Sequence, residues 1–165
     1  MTKYFEEPQG LNDVAKFHHT FSLPVVDNPA IPSEDRCKLR VSLIEEELNE
    51  LKEALINKDI VEAADALADI QYVLSGAILE LGLGHIFKDL FDEVQRSNMS
   101  KTCATIDEAL ATQEFYLSHK GVESYIEEKD DYFLVYRKED GKVLKSVNYS
   151  PADLKSIVEK SLVNQ

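Results

Sequence analysis

A mainly α protein is what this sequence predicts: a four-helix-bundle-like core, then a small three-stranded antiparallel β meander with flanking helices. Three observations predict it. Apolar residues recur at helical spacing in four successive segments up to Ser97. After Gly121 the period drops to two, with aromatic and β-branched residues alternating against polar ones. Proline and glycine punctuate the chain at the boundaries those patterns require. The 165 residues suffice for a real core without disulfides or zinc, and 44% hydrophobic with 30% charged residues is ordinary for a soluble globular chain.

The first helix is read from Leu11 to Phe21, where Leu11, Val14, Ala15 and Phe21 share a face with His18. A core or surface role is the plain alternative to a base-pocket role for Phe17 or His18. Pro24, Pro29 and Pro32 make the following stretch an extended loop. Ser33 is then an N-cap, with Glu34 and Asp35 favoured in the first turn by the helix dipole, and a long helix runs to about Asn57. After the Asn57-Lys58-Asp59 turn, a helix from about Ile60 to Leu81 is apolar over most of its circumference, which predicts burial on nearly all sides. Gly82 and Gly84 end it, and a shorter helix spans about His85 to Ser97. Thr105 to Glu108 is a capping box for a helix that stops at His119-Lys120-Gly121. Val122 to Glu128, Tyr132 to Lys138 and Lys142 to Val147 read as three strands, the last two joined by an Asp140-Gly141 hairpin signal. Ser150-Pro151 opens a final helix to about Leu162. The expected division is a helical core over 1–103 and an appended helix, meander and terminal helix over 104–165.

Two acidic clusters carry the chemistry. In Glu45 to Glu50, helical geometry sets Glu47 and Glu50 beside the apolar stripe of Ile44, Leu48, Leu51 and Leu55, half buried and mutually repelling. Glu62, Asp65 and Asp69 project within one ~60° arc of the next helix. No Lys or Arg stands between Lys58 and Lys88, so these acids lack a local partner. Unpaired carboxylates in a dry interior cost several kcal/mol each, and a hard divalent cation resolves that cost. Octahedral Mg²⁺ is the default for an all-oxygen site, with Mn²⁺ the alternative. Arg96, Asn98 and Lys101 form a phosphate-facing patch where the bundle ends, although cations near a helix C-terminus are also favoured structurally.

The remaining totals set limits. A formal charge of −13 disfavours unaided binding to a nucleic-acid polymer or an anionic membrane. Cys37 and Cys103 fit neither a zinc spacing nor a disulfide framework and suit a reducing cytoplasm. No leader pattern or spanning apolar run is expected. No nucleophile constellation and no GxxxxGK[ST] loop is visible, so a metal-activated water is the expected reagent.

Glu46, Glu47 and Glu50 in EE-x-x-E, followed by Asp69 to Tyr72 in AD-I-x-Y, resemble the all-α nucleoside triphosphate pyrophosphatases. That superfamily includes MazG, dimeric dUTP pyrophosphatases and phosphoribosyl-ATP pyrophosphohydrolases. The likeness is greatest to the phosphoribosyl-ATP pyrophosphohydrolase-like branch, where LIEEELNEL, VEAADALADIQYVLSGA, DEVQRSNMSK and a tail like GKVLKSVNYSPADL recur together; it covers roughly Phe17 to Leu154. The resemblance implies that Glu47 and Glu50 are metal ligands and that Glu46 is a further ligand or a base orienting water. It implies that Asp69 is the Asp of an ExxD motif. Ala66 stands where that motif has Glu, whereas Glu62 and Asp65 fit ExxD one turn earlier, so Asp65 and Asp69 are both taken as ligands and Glu62 as an outer candidate. Asn98 and Lys101 would hold phosphates, Lys145 and Tyr149 would close over the substrate, and Phe17, His18 and Tyr72 would shape the base pocket. The implied reaction converts a nucleoside triphosphate, dUTP or a non-canonical nucleotide among them, to the monophosphate and pyrophosphate, in a homodimer or dimer of dimers. Phosphoribosyl-ATP hydrolysis and a non-catalytic metal- or nucleotide-binding module are the alternatives.

Overall fold

The computed structural model describes residues 5–163, so the outermost residues of both expected domains lie outside it. It is mainly helical, with six helices and one two-stranded antiparallel sheet. Contacts divide it into two units, one of residues 5–87 and 158–163 and one of residues 88–157.

The first unit holds α1 (Gly10–Thr20), α2 (Glu34–Asn57) and α3 (Ile60–Glu80). Ser33 stands at the N-cap of α2, although its side chain makes no capping bond. Asp59 caps α3 by accepting from the amides of Val61 and Glu62, and Lys58 turns the chain with a left-handed backbone, so α2 and α3 form a helical hairpin. Both α1 and α2 pack against α3. Burial concentrates where they meet, at Val14, His18, Ala54, Ala63, Ala66 and the run Ser75 to Glu80. The all-round burial expected of α3 therefore holds only for its C-terminal third. Val61, Leu67 and Leu74 are 71%, 55% and 39% exposed, because three helices leave the N-terminal part of α3 uncovered on several sides.

The second unit contains α4 (Phe87–Met99) from Lys88 onward, α5 (Ile106–Lys120), β1 (Ser124–Lys129), β2 (Tyr132–Arg137) and the start of α6 (Leu154–Val163). The Thr105 hydroxyl accepts from the Glu108 amide, while the Glu108 carboxylate takes the amide of Ala104 rather than that of Thr105. β1 and β2 pair in register from Ser124 with Arg137 to Lys129 with Tyr132, around a two-residue turn whose Asp130 is left-handed. The core of this unit is Cys103, Ala109, Val135 and Leu144, with Tyr116, Val122, Ile126 and Phe133 packed on it.

Two sequence expectations are corrected here. The third strand, Lys142 to Val147, does not form: after the Asp140-Gly141 turn the chain makes only an isolated bridge from Val143 to Tyr136. From Lys145 onward its backbone amides go to α5 and Lys101 instead of to β2, which leaves no ladder to extend. The last helix starts at Leu154 rather than at Pro151, because Asp153 is its cap, accepting from both the amide and the hydroxyl of Ser156.

Candidate functional site

Helical spacing on the α2–α3 hairpin brings the acids of both helices to one surface. Glu47 is partly buried, whereas Glu46, Glu50, Glu62, Asp65 and Asp69 are exposed. Burial, and then the charges of Glu50, Asp69, Glu46 and Asp65, push the Glu47 carboxyl above its usual range. Those five carboxylates thus share one electrostatic neighbourhood. Glu62, one turn before Asp65, is not among the charges that act on Glu47. The dry interior expected for the α3 acids is corrected: Asp65 and Asp69 face water, because the helices of the first unit bury the Ala63 and Ala66 side of that part of α3 and leave this face open.

The set is all carboxylate oxygen, and none of the five forms an ion pair with a Lys or Arg among the described residues. Such donors suit a hard divalent cation. As the side chains stand, no group of three or more described His, Cys, Asp or Glu side chains is placed to hold a metal ion. The fit is therefore one of chemistry and charge, on an open face that a cation would gather.

Beside this face lies a cavity of about 180 Å³, lined by residues that include Phe17, His18, Arg40, Leu43, Tyr72 and Gly76. Tyr72 stands one turn beyond Asp69 and meets Phe17 edge to face at 5.7 Å, and both rings remain partly exposed, at 40% and 38%. His18 differs. It is 2% exposed, with Nδ1 at 2.7 Å from the Pro24 carbonyl oxygen and Nε2 at 3.3 Å from the Arg40 guanidinium. Nδ1–H donating to that carbonyl leaves Nε2 as an acceptor for Arg40, so both ring nitrogens are satisfied within the fold.

Sequence reasoning missed the group next to it. Glu80, 2% exposed on α3, is gripped by Arg36 through Nε at 3.1 Å and through Nη2, and by Arg40 through Nη2. Burial raises the Glu80 carboxyl, and the bonds from Arg40 and Arg36 overcome that and hold it below its usual range. Gly76 makes the passage: a Cβ there would meet Arg40 Nη1 at 2.6 Å and His18 Nε2 at 3.1 Å. The available signal was the i, i+4 pair Arg36 and Arg40 on α2, matched by Gly76 and Glu80 on α3.

The expected phosphate residues all fall in the second unit and are described there by themselves. Arg96 Nε and Nη2 are engaged within it, on both oxygens of Glu93 at 2.7 and 2.8 Å and, through Nη2, on the carbonyls of Ser150 and Pro151. Lys101 Nζ donates to Asn98 Oδ1 at 2.7 Å, the Lys145 ammonium lies 4.0 Å from the centre of the Tyr149 ring, and the Tyr149 hydroxyl is 3.1 Å from Ser97 Oγ.

A helical hairpin with facing glutamates and aspartates and an aromatic-edged cavity beside them accords with the class to which the family comparison assigns the chain, the MazG-like all-α nucleoside triphosphate pyrophosphatase superfamily. Within it, residues 14–98 match the model of the phosphoribosyl-ATP pyrophosphohydrolase family, just over half of the chain, and the chain belongs to that family. Its members are typically metal-dependent. The chain is also 30% identical over 151 residues to an uncharacterized protein of Acanthamoeba polyphaga mimivirus, an alignment that spans 87% of this chain and 58% of that protein. No described helix is long and apolar enough to cross a membrane.

Proposed function

We propose that this protein hydrolyses a nucleoside triphosphate between the α- and β-phosphates, giving the monophosphate and pyrophosphate, with dUTP or a non-canonical nucleotide as the candidate substrate. One observation carries the reading: the charges of four carboxylates act on Glu47, and none of the five is paired with a Lys or Arg among the described residues, so the charge is left for a cation to neutralise. Glu47, Glu50, Asp65 and Asp69 would hold that cation, Mg²⁺ or Mn²⁺, with Glu46 as a ligand or as the base that orients water and Glu62 outside them. When bound, such an ion supplies neutralisation of phosphoryl charge and a water of lowered pKa. Phe17 and Tyr72 offer ring edges for a base, and His18 acts through its bond to Arg40 by fixing the cavity wall. Lys101, Asn98, Lys145 and Tyr149 would grip phosphate oxygens, while Arg96 fastens the chain that carries Tyr149.

Pyrophosphate release measured over a panel of nucleoside triphosphates with Mg²⁺ or Mn²⁺ tests this. No turnover of any of them would sink it. The description of the matched family favours phosphoribosyl-ATP as a second substrate, and including that compound in the panel decides between the two. We also propose a cytoplasmic homodimer or dimer of dimers. Leu39, Val41, Leu48, Leu55, Ile56 and Val61 leave apolar surface on the hairpin that a second copy would cover. The four-helix bundle expected from the sequence would then be completed between copies.

A further inference from the structure

Residues 145–149 have no regular secondary structure beyond a turn, yet all five backbone amides are satisfied. Lys145 donates to the Tyr116 hydroxyl at 3.3 Å, Ser146 to the Lys101 carbonyl at 3.3 Å and Val147 to Thr112 Oγ1 at 3.1 Å. Asn148 donates to Ser146 Oγ and Tyr149 to the Ser146 carbonyl, both at 2.9 Å. An irregular segment with every amide taken is held in one conformation. Its anchor is Ser146, 4% exposed, whose hydroxyl donates to Glu108 Oε1. The other oxygen of Glu108 accepts from the Ala104 amide at 2.9 Å, and the Glu108 carbonyl accepts from the Thr112 hydroxyl at 2.8 Å. Glu108 therefore ties the start of α5, the 103–105 connection and the strap to one another.

The strap aims two groups at the end of α4. The Lys145 ammonium covers the Tyr149 ring, and the Tyr149 hydroxyl reaches Ser97, one residue before Asn98. The bond to Ser97 and the ammonium groups of Lys145 and Lys101 hold the phenol below its usual range. Neither lysine is paired with a carboxylate among the described residues, in a chain of net charge −13. The family match stops at residue 98, so Glu108, Lys145 and Tyr149 all lie beyond it.

We propose that Glu108 is a positioning residue: through Ser146 it locks the strap so that Lys145 and Tyr149 join Lys101 in a grip for a polyphosphate oxyanion. This rests on the reading that those residues hold phosphate, and it assigns the 99–157 segment a direct part in substrate binding. The test is calorimetric titration of the full-length protein with inorganic pyrophosphate in the absence of divalent metal, which needs no turnover. A wild-type protein that binds pyrophosphate but turns over no triphosphate would sink the proposed reaction and leave this inference standing. Glu108→Ala is expected to weaken binding about tenfold, the size of one lost charge-assisted bond. Glu108→Gln, whose one amide oxygen can accept from Ala104 while its NH2 donates to the Ser146 hydroxyl oxygen, is expected to recover part of it. Glu108→Ala added to Lys145→Met should cost less than the sum of the two single losses, because Glu108 acts partly through Lys145, whereas a merely structural loss would add in full. Should Glu108→Ala not fold, Ser146→Ala carries the same expectation. No pyrophosphate binding by the wild type, unchanged binding by the variant, or full additivity with Lys145→Met would each overturn the proposal.

Discussion

The two ends of α3 treat their acids in opposite ways. Near its start Asp65 and Asp69 are exposed and act on Glu47, with no Lys or Arg paired to them among the described residues; at its end Glu80 is buried and held by two arginines of α2. The difference follows from cover. Where α1 and α2 both close over α3, a carboxylate persists only with full pairing, since a lone buried charge would cost several kcal/mol. Where the helix is open, water supports the charge and the acids remain available to a cation from solution. One helix thus carries a structural acid and a set of receptive ones, separated by about three turns from Asp69 to Glu80.

Substitutions that exchange these two characters give the sharpest tests. The largest effect is expected on turnover: Glu47→Gln or Asp69→Asn should reduce pyrophosphate release by a hundredfold or more, with helicity by circular dichroism near that of the wild type. Full activity in both would remove the receptive end from the chemistry. Next comes stability at the other end. Glu80→Ala leaves two arginines facing no anion and should cost about 3–5 kcal/mol in denaturant unfolding. Because the folded Glu80 carboxyl lies below its ordinary value of 4.5, its stabilisation is present above that value and fades as pH falls through the lower folded one. Acid unfolding should accordingly be less steep in Glu80→Gln than in the wild type.

The smallest effect has the opposite sign. Glu47 is raised in the folded protein, so its charged form opposes folding at neutral pH, and that opposition is relieved as pH falls through its folded value. Without metal, Glu47→Gln should raise the melting temperature by about 1–2 °C, the size of a few tenths of a kcal/mol. Added Mg²⁺ should stabilise the wild type and not the variant. An unchanged metal-free melting temperature would mean that Glu47 feels its neighbours less than the shared face implies.

Helix existence and the acid clusters were legible in the sequence because both depend on local spacing: 3.6-residue periodicity, the Asn57-Lys58-Asp59 turn, the capping box at Thr105 and the Gly121 stop all report on neighbours within a turn. The third strand was not legible. Lys142 to Val147 alternates like a strand, yet its fate is decided by Tyr116, Thr112 and Glu108, residues more than twenty-five positions earlier that take its amides and its Ser146 hydroxyl. Burial of Asp65 and Asp69 was overestimated for a related reason. An apolar circumference says what a helix prefers to cover, not what a single chain supplies to cover it. The Glu80 pairing was missed because its cations come from α2, and a count confined to residues 59–87 could not find them.

Gly76 has a consequence of another kind. The Arg40 guanidinium reaches Glu80 over the space a side chain there would fill, so a side chain at 76 requires a shorter one at 40. Gly76→Ala by itself displaces a charged group from its partner, whereas in an Arg40→Ala background the same methyl enters vacated volume, still meets the His18 ring at 3.1 Å and should cost less. The missing side chain at 76 and the long one at 40 occupy one volume, and filling it from α3 would leave Glu80 to Arg36 alone.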